Sequence, residues 1–137
     1  MKLTRASEYA IFALVEMAGQ TGDGRPAASH LTAQARGLPE RFLLKVLQPL
    51  VRVGILNSIK GPNGGYRLAK PATKVTLLDI VEAVDGPLRG EVPRTGGKDT
   101  DALENRLRDI CQQITDQTRQ QLSKVRLSEL VAKGGKK

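Results

Sequence analysis

One stretch constrains this chain more than any other: Gly54-Ile55-Leu56-Asn57-Ser58-Ile59-Lys60-Gly61-Pro62-Asn63-Gly64-Gly65-Tyr66-Arg67-Leu68. It reads as strand, tight turn, strand, directly behind an amphipathic helix. Asn63-Gly64 is a strong short-range turn signal, because asparagine and glycine both accept the positive φ that hairpin turns need. Pro62 stiffens the turn, and Lys60 and Arg67 flank it. A stiff hairpin with basic flanks, hung behind a helix, is the wing of a winged helix-turn-helix. That makes double-stranded DNA the leading partner.

Charge points the same way. Residues 1–75 carry eleven Lys/Arg against four Asp/Glu, whereas residues 76–137 carry eleven against ten. Basic charge gathered in one half is the electrostatic footprint of a nucleic-acid reader. A solvated basic surface or attraction to an anionic membrane would also produce it. The coincidence of charge and wing in one half favours DNA. No run approaches the ~20 apolar residues of a membrane span, and no signal peptide is expected at the N-terminus, where Arg5, Glu8 and Glu16 interrupt the apolar residues. One cysteine in 137 residues rules out an intrachain disulfide and fits a reducing, cytoplasmic setting. With no Trp, two Tyr and two Phe, the core must be aliphatic.

The expected fold is mainly α with a small β-hairpin. Its units are a winged helix-turn-helix domain over 1–85, a flexible loop over 86–100, a dimerisation helix and short terminal helix over 101–131, and a basic disordered tail over 132–137. Thr4 is a plausible N-cap for a first helix over 4–19 that is apolar around most of its circumference. Such a helix suits contact with a second subunit as well as with its own core, although an ordinary core helix would look much the same. A short helix from Ala28 to Arg36, with Leu31 and Ala35 inward, leads to the turn Gly37-Leu38-Pro39. Glycine suits the left-handed residue after a helix and proline the first residue of the next.

The next helix, Pro39 to Val53, has Leu43, Val46, Leu47 and Leu50 at i, i+3, i+4, i+7, a clean buried face. Pro49 should bend or tighten it. Helix, glycine turn, helix is the helix-turn-helix pattern, whose second helix offers its N-terminal residues to the major groove. Thr76 should cap a helix from Leu77 to Asp85 that Gly86 stops. A long helix from Asp101 to Lys124 carries Leu103, Leu107, Ile110 and Ile114 as a thin seam, the way coiled-coil-like dimers are built. Leu127 to Val131 should fold back as a short helix. No phosphate loop, zinc motif or serine elbow is present. A single histidine and no nucleophile with a base argue against an enzyme.

The opening Met1-Lys2-Leu3-Thr4…Tyr9-Ala10, the segment Leu38-Pro39-Glu40-Arg41-Phe42-Leu43, the hairpin Lys60 to Leu68 and the helix Leu78 to Gly86 together resemble the IscR/NsrR/CymR regulators, the Rrf-two family, over about residues 1–131. The resemblance implies a homodimeric, sequence-specific transcriptional regulator, a repressor more often than an activator. It also implies dimerisation through the long C-terminal helix with help from the first. The recognition helix would lie in the major groove and the wing in the minor groove. Onto this chain, Arg41, Leu44 and Lys45 fall at base-facing positions, and Lys60, Gly61, Pro62, Asn63 and Gly64 at the wing tip, with Arg67 behind it. Leu44 either touches a thymine methyl or is a core-edge residue. The resemblance departs at one point. Cluster-sensing relatives carry three cysteines in the loop after the fourth helix, and residues 86–98 here hold neither cysteine nor histidine. Thiolates are the ligands such clusters need, so the chain looks like the cluster-less branch, with no cofactor or metal expected. Glu8 sits near the first-helix carboxylate that some relatives use as a ligand, which counts for little without the cysteines.

The signal would then come from a small-molecule or protein effector. One alternative is control by complex formation with a metabolic enzyme. Another is a redox thiol at Cys111, beside the dimer seam. A small buried hydrophobe is the commoner role of a free cysteine, and no cationic partner is obvious to activate it. His30 reads as an exposed or capping residue, since a metal site needs several ligands. Arg5, Arg25 and Arg36 are candidates for phosphate contacts or a solvated basic surface.

Overall fold

Helix α1, Arg5–Gln20, is the element around which the rest is assembled. In the computed structural model, which describes residues 1–20, 25–90 and 101–131, its Ala10, Ala13, Leu14 and Met17 are wholly buried, and it packs on α2 (Ser29–Arg36), α3 (Glu40–Arg52) and α4 (Leu77–Asp85). The small side chains at 10 and 13 let neighbouring helices approach closely. Thr4 caps α1 as expected: its Oγ1 accepts the Ser7 N–H at 3.0 Å. The same hydroxyl donates to the Asp85 carboxylate, as does the buried Ser7 hydroxyl at 2.6 Å. A carboxylate thus sits at the positive end of α1 and ties it to the end of α4.

Helix α3 buries Leu43, Val46, Leu47 and Leu50, the face that the periodicity predicts. The hairpin strands β1, Leu56–Ile59, and β2, Gly65–Leu68, pair antiparallel with Leu56 opposite Leu68 and Ile59 opposite Gly65. Leu56 and Ile55 anchor the hairpin in the core. A 3₁₀ turn, Ala72–Lys74, leads to α4, whose Thr76 and Asp79 form a capping box. Gly86 ends α4 at φ 84°. Helix α5, Asp101–Lys124, and helix α6, Leu127–Leu130, follow as the last elements among the described residues. The polypeptide does fold back. Leu127 N–H donates to the Val75 carbonyl and Leu77 N–H to the Val125 carbonyl, each at 2.8 Å, and the Leu127 side chain is wholly buried.

Several expectations change. In α2 the buried residues are Thr32 and Ala33, while Leu31 and Ala35 are exposed. Two turns of helix hold too few apolar residues to set their own rotation, and packing on α1 and α3 selects it. Pro49 does not interrupt α3, which stays α-helical to Arg52. It tightens only past its end, where Gly54 N–H reaches back to the Val51 carbonyl. Pro39 is the N-cap of α3, one position before its expected place.

The hairpin turn also differs in kind. Gly64 N–H donates to the Gly61 carbonyl at 2.9 Å, so Pro62 and Asn63 are the central residues, and Asn63 keeps a negative φ. Proline in the first central position favours this turn. The positive φ falls instead on Gly61 (110°) and Gly65 (148°). Gly64 is needed for space, since a Cβ there would lie 2.1 Å from the Ile59 carbonyl oxygen.

One feature has no signal in the sequence. Ala27 pairs with Tyr66, N–H to carbonyl in both directions at 2.7 and 2.9 Å, adding a single-residue third strand along β2. The free edge of the wing is thereby tied to the start of the helix-turn-helix. The expected loop over 86–100 is described only to Gly90, and its remainder and the basic tail over 132–137 lie outside the described residues. No helix among the described residues is long and apolar enough to cross a membrane.

Candidate nucleic-acid interface

The face of α3 opposite its buried stripe carries Arg41, Leu44, Lys45 and Gln48, all exposed. Leu44 and Lys45 each stand three or four residues from both Arg41 and Gln48, so the four form one row along the helix. Leu44 is 36% exposed, which sets it on the outer row and not within the core. At the tip of the hairpin, Lys60, Gly61, Pro62 and Asn63 are exposed and Gly64 is half-buried. Arg67, on β2, lies opposite Asn57 and so projects to the hairpin face away from Ser58 and Tyr66. A groove of about 380 Å³, lined by Gln48, Val51, Arg52, Ser58 and Tyr66, joins α3 to the hairpin. The outer row of α3 therefore runs into the base of the wing through Gln48 and Arg52. This surface gathers Arg41, Lys45, Arg52 and Lys60, with aliphatic and glycine positions where a duplex could approach closely.

The alignment of these parts is rigid. The helix-turn-helix glycine, Gly37, adopts φ 66° and its N–H and that of Leu38 satisfy the last carbonyls of α2. Arg36 is committed to this scaffold: its Nε donates to Glu16 at 3.1 Å and its guanidinium lies 5.9 Å from the centre of the Phe12 ring. It joins α2 to α1, while its side chain stays partly exposed. Arg5 and Arg25 are exposed, as is His30 at the start of α2. The sequence places Glu40 near the start of α3 but gives no sign of its partner: Oε2 accepts a hydrogen bond from the Ser29 hydroxyl at 3.0 Å across the turn.

The second half of the chain presents a different surface. Leu103, Leu107, Ile110 and Ile114 on α5 are 39–59% exposed. The adjoining side of α5, with Cys111, Thr115, Thr118 and Arg119, is half-buried against the chain's own body. Arg119 pairs with Glu82 of α4, and Glu82 also accepts the Leu88 N–H at 2.9 Å. Gly90 crosses α5 so closely that a Cβ there would lie 2.6 Å from the Cys111 carbonyl carbon. Cys111 is thus half-buried beside the exposed row, with the loop at Gly90 against its backbone.

The Rrf2 family model, described as an iron-dependent transcriptional regulator, matches residues 3–133. CymR of Bacillus subtilis, an HTH-type transcriptional regulator, is 30% identical over 119 residues, covering 86% of each chain. Its solved structure, titled as that of the global cysteine regulator of that organism, superposes with TM-score 0.75 over 96% of this chain and 97% of that one, at 26% identity. Protein aau3 of Rhizobium meliloti is 39% identical over 85 residues, where the match spans 62% of this chain and 54% of that protein. T. potens IscR shares the fold, with TM-score 0.72 over 100% of this chain and 92% of that one, at 21% identity.

The family description implies iron, and the donors can be tested against it. The chain has one cysteine and one histidine, on α5 and α2. Among the described residues no three His, Cys, Asp or Glu side chains gather where they could hold a metal. A cluster held by thiolates does not fit this donor set. With a family match over nearly the whole length and a winged helix-turn-helix fold, the chain belongs to the Rrf2 family.

Proposed function

We propose that this chain works as a homodimer that represses transcription by occupying a pseudo-palindromic operator. The observation that carries the dimer is the row Leu103, Leu107, Ile110 and Ile114, four aliphatic side chains left exposed along one helix. A row of this spacing is covered in water by a second helix of the same kind. In the dimer, α3 lies in the major groove with Arg41, Leu44 and Lys45 toward base edges. The hairpin tip, Lys60 to Gly64 with Arg67 behind it, follows the minor groove and its phosphates. Two-fold symmetry then places the half-sites about one helical turn, ~34 Å, apart.

The signal enters without a cluster held in the usual loop. The Glu82–Arg119 pair and the Gly90 crossing link α4 and the loop to α5. An effector, small molecule or protein, that bears on this junction changes the spacing of the two recognition helices. The setting is the bacterial cytoplasm, where the operator is.

The test is footprinting and gel shift on promoter-region DNA, with sedimentation equilibrium of the free protein. A protected pseudo-palindrome, a dimer mass, and loss of sequence preference in Arg41→Ala and Lys45→Ala support the reading. Equal affinity for random DNA, unchanged by both substitutions, overturns it.

A further inference from the structure

We propose that Glu40, held in place by Ser29, is a specificity-determining residue that selects a cytosine in each half-site. The inference rests on the reading of α3 as the recognition helix. Glu40 is the first residue of α3 and is exposed, one turn before Leu44 at the edge of the outer row. It is the one carboxylate among the residues of that helix. The positions three and four residues on, where a helical partner would stand, are Leu43 and Leu44, so the helix offers it no cation. Neither Arg41 nor Lys45 forms an ion pair with it. Among the described residues, its side-chain hydrogen bond is to the Ser29 hydroxyl, which donates to Oε2 at 3.0 Å from the first residue of α2.

A carboxylate in that place repels phosphates, and its charge is favourable only against a hydrogen-bond donor. Along the major groove guanine presents acceptors at N7 and O6, and thymine an acceptor at O4. Adenine presents its N6 donor beside the N7 acceptor, a pair that suits an amide and repels a carboxylate. Cytosine presents the N4 donor with no acceptor next to it on the same base. The Ser29 hydrogen bond orients the carboxylate and leaves acceptor lone pairs on both of its oxygens, so it can still accept the cytosine N4–H. Ser29 also removes rotamer freedom from a long side chain before DNA arrives, which lowers the entropy lost on binding. Ser29 is therefore a positioning residue, and Glu40 the group that meets the base.

The experiment uses the full chain and duplexes selected from a random double-stranded pool by the wild type. Each base pair of the selected site is then replaced in both half-sites, and affinities are measured for wild type, Glu40→Gln, Ser29→Ala and Arg41→Ala. Glutamine keeps the shape of glutamate and suits adenine, so Glu40→Gln should lose about tenfold discrimination at one C·G position per half-site and turn toward A·T there. Ser29→Ala should blur the same position by a few-fold and leave the others unchanged, an effect that a purely structural serine would not confine to one base pair. Base preferences that stay the same in Glu40→Gln, whether or not all duplexes bind more tightly, would overturn the inference. If Arg41→Ala also leaves every affinity unchanged, the reading of α3 has failed, and the inference falls with it for that separate reason.

Discussion

Replacing Lys60 by alanine tests the wing and the dimer together. Lys60 is exposed, immediately before the turn that Gly61 and Gly64 close, where its ammonium would meet a phosphate of a duplex laid along the hairpin tip. Each phosphate neutralised contributes a slope of about −0.9 to the plot of log affinity against log salt. A dimer carries Lys60 twice, so the substitution should flatten the slope by about 1.8. Between 50 and 200 mM salt, that is roughly a tenfold smaller loss of affinity for the variant than for the wild type. The weakening should be nearly uniform across sequences, because a phosphate contact positions the protein without reading bases. Fluorescence anisotropy with a labelled duplex at five or six salt concentrations measures the slope. A change near 0.9 would mean that one chain binds alone. No change at all would mean that the hairpin tip does not lie along the backbone, and the argument from Lys60 would be refuted.

Four other outcomes follow from the same structure. Gly65→Ala should cost the chain its wing anchor, since φ is 148° and a Cβ would lie 2.3 Å from the Ala27 carbonyl oxygen. Operator affinity should fall with little loss of helical circular dichroism. Leu47→Ala removes a wholly buried side chain of α3 and should cost about 2–5 kcal/mol in urea unfolding. Asp85→Ala leaves the buried Ser7 hydroxyl without its acceptor and should cost about 1–3 kcal/mol, much of it recovered when Ser7→Ala is added. Ile110→Asp with Ile114→Asp should shift the sedimenting species from dimer to monomer, while a dimer that survives both charges would remove α5 as the interface.

The helices of this protein are legible residue by residue. The four apolar positions of α3 are spaced so that only one face can be buried, and the structure buries that face. Thr4 and Thr76 announce α1 and α4 because a threonine hydroxyl satisfies N–H groups that the first turn leaves open. The candidate site is partly legible for the same reason: once Leu43 and Leu47 face inward, Arg41, Leu44 and Lys45 must face outward. The misjudged elements are those with little local information. Helix α2 has only eight residues, and its rotation is decided by what it packs against. The hairpin turn was expected to put positive φ on Asn63-Gly64, yet a run with glycines at 61, 64 and 65 allows more than one registration. The pairing of Ala27 with Tyr66 settles which residues need the unusual backbone.

By itself, the sequence determined the kinds of element and their order, because helix periodicity, caps and a proline-glycine hairpin are encoded over a few neighbouring residues. It also determined that thiolate ligands for a cluster are lacking, since ligand identity is composition. Tertiary structure alone decided what meets what across long separations. Ala27 closes the edge of β2, Asp85 holds the start of α1, Arg36 ties α2 to Glu16 of α1, and Ser29 holds Glu40 at the start of α3. Each of these contacts depends on the relative placement of two elements. That placement is set by the fit of buried side chains from the whole core, which no single segment encodes.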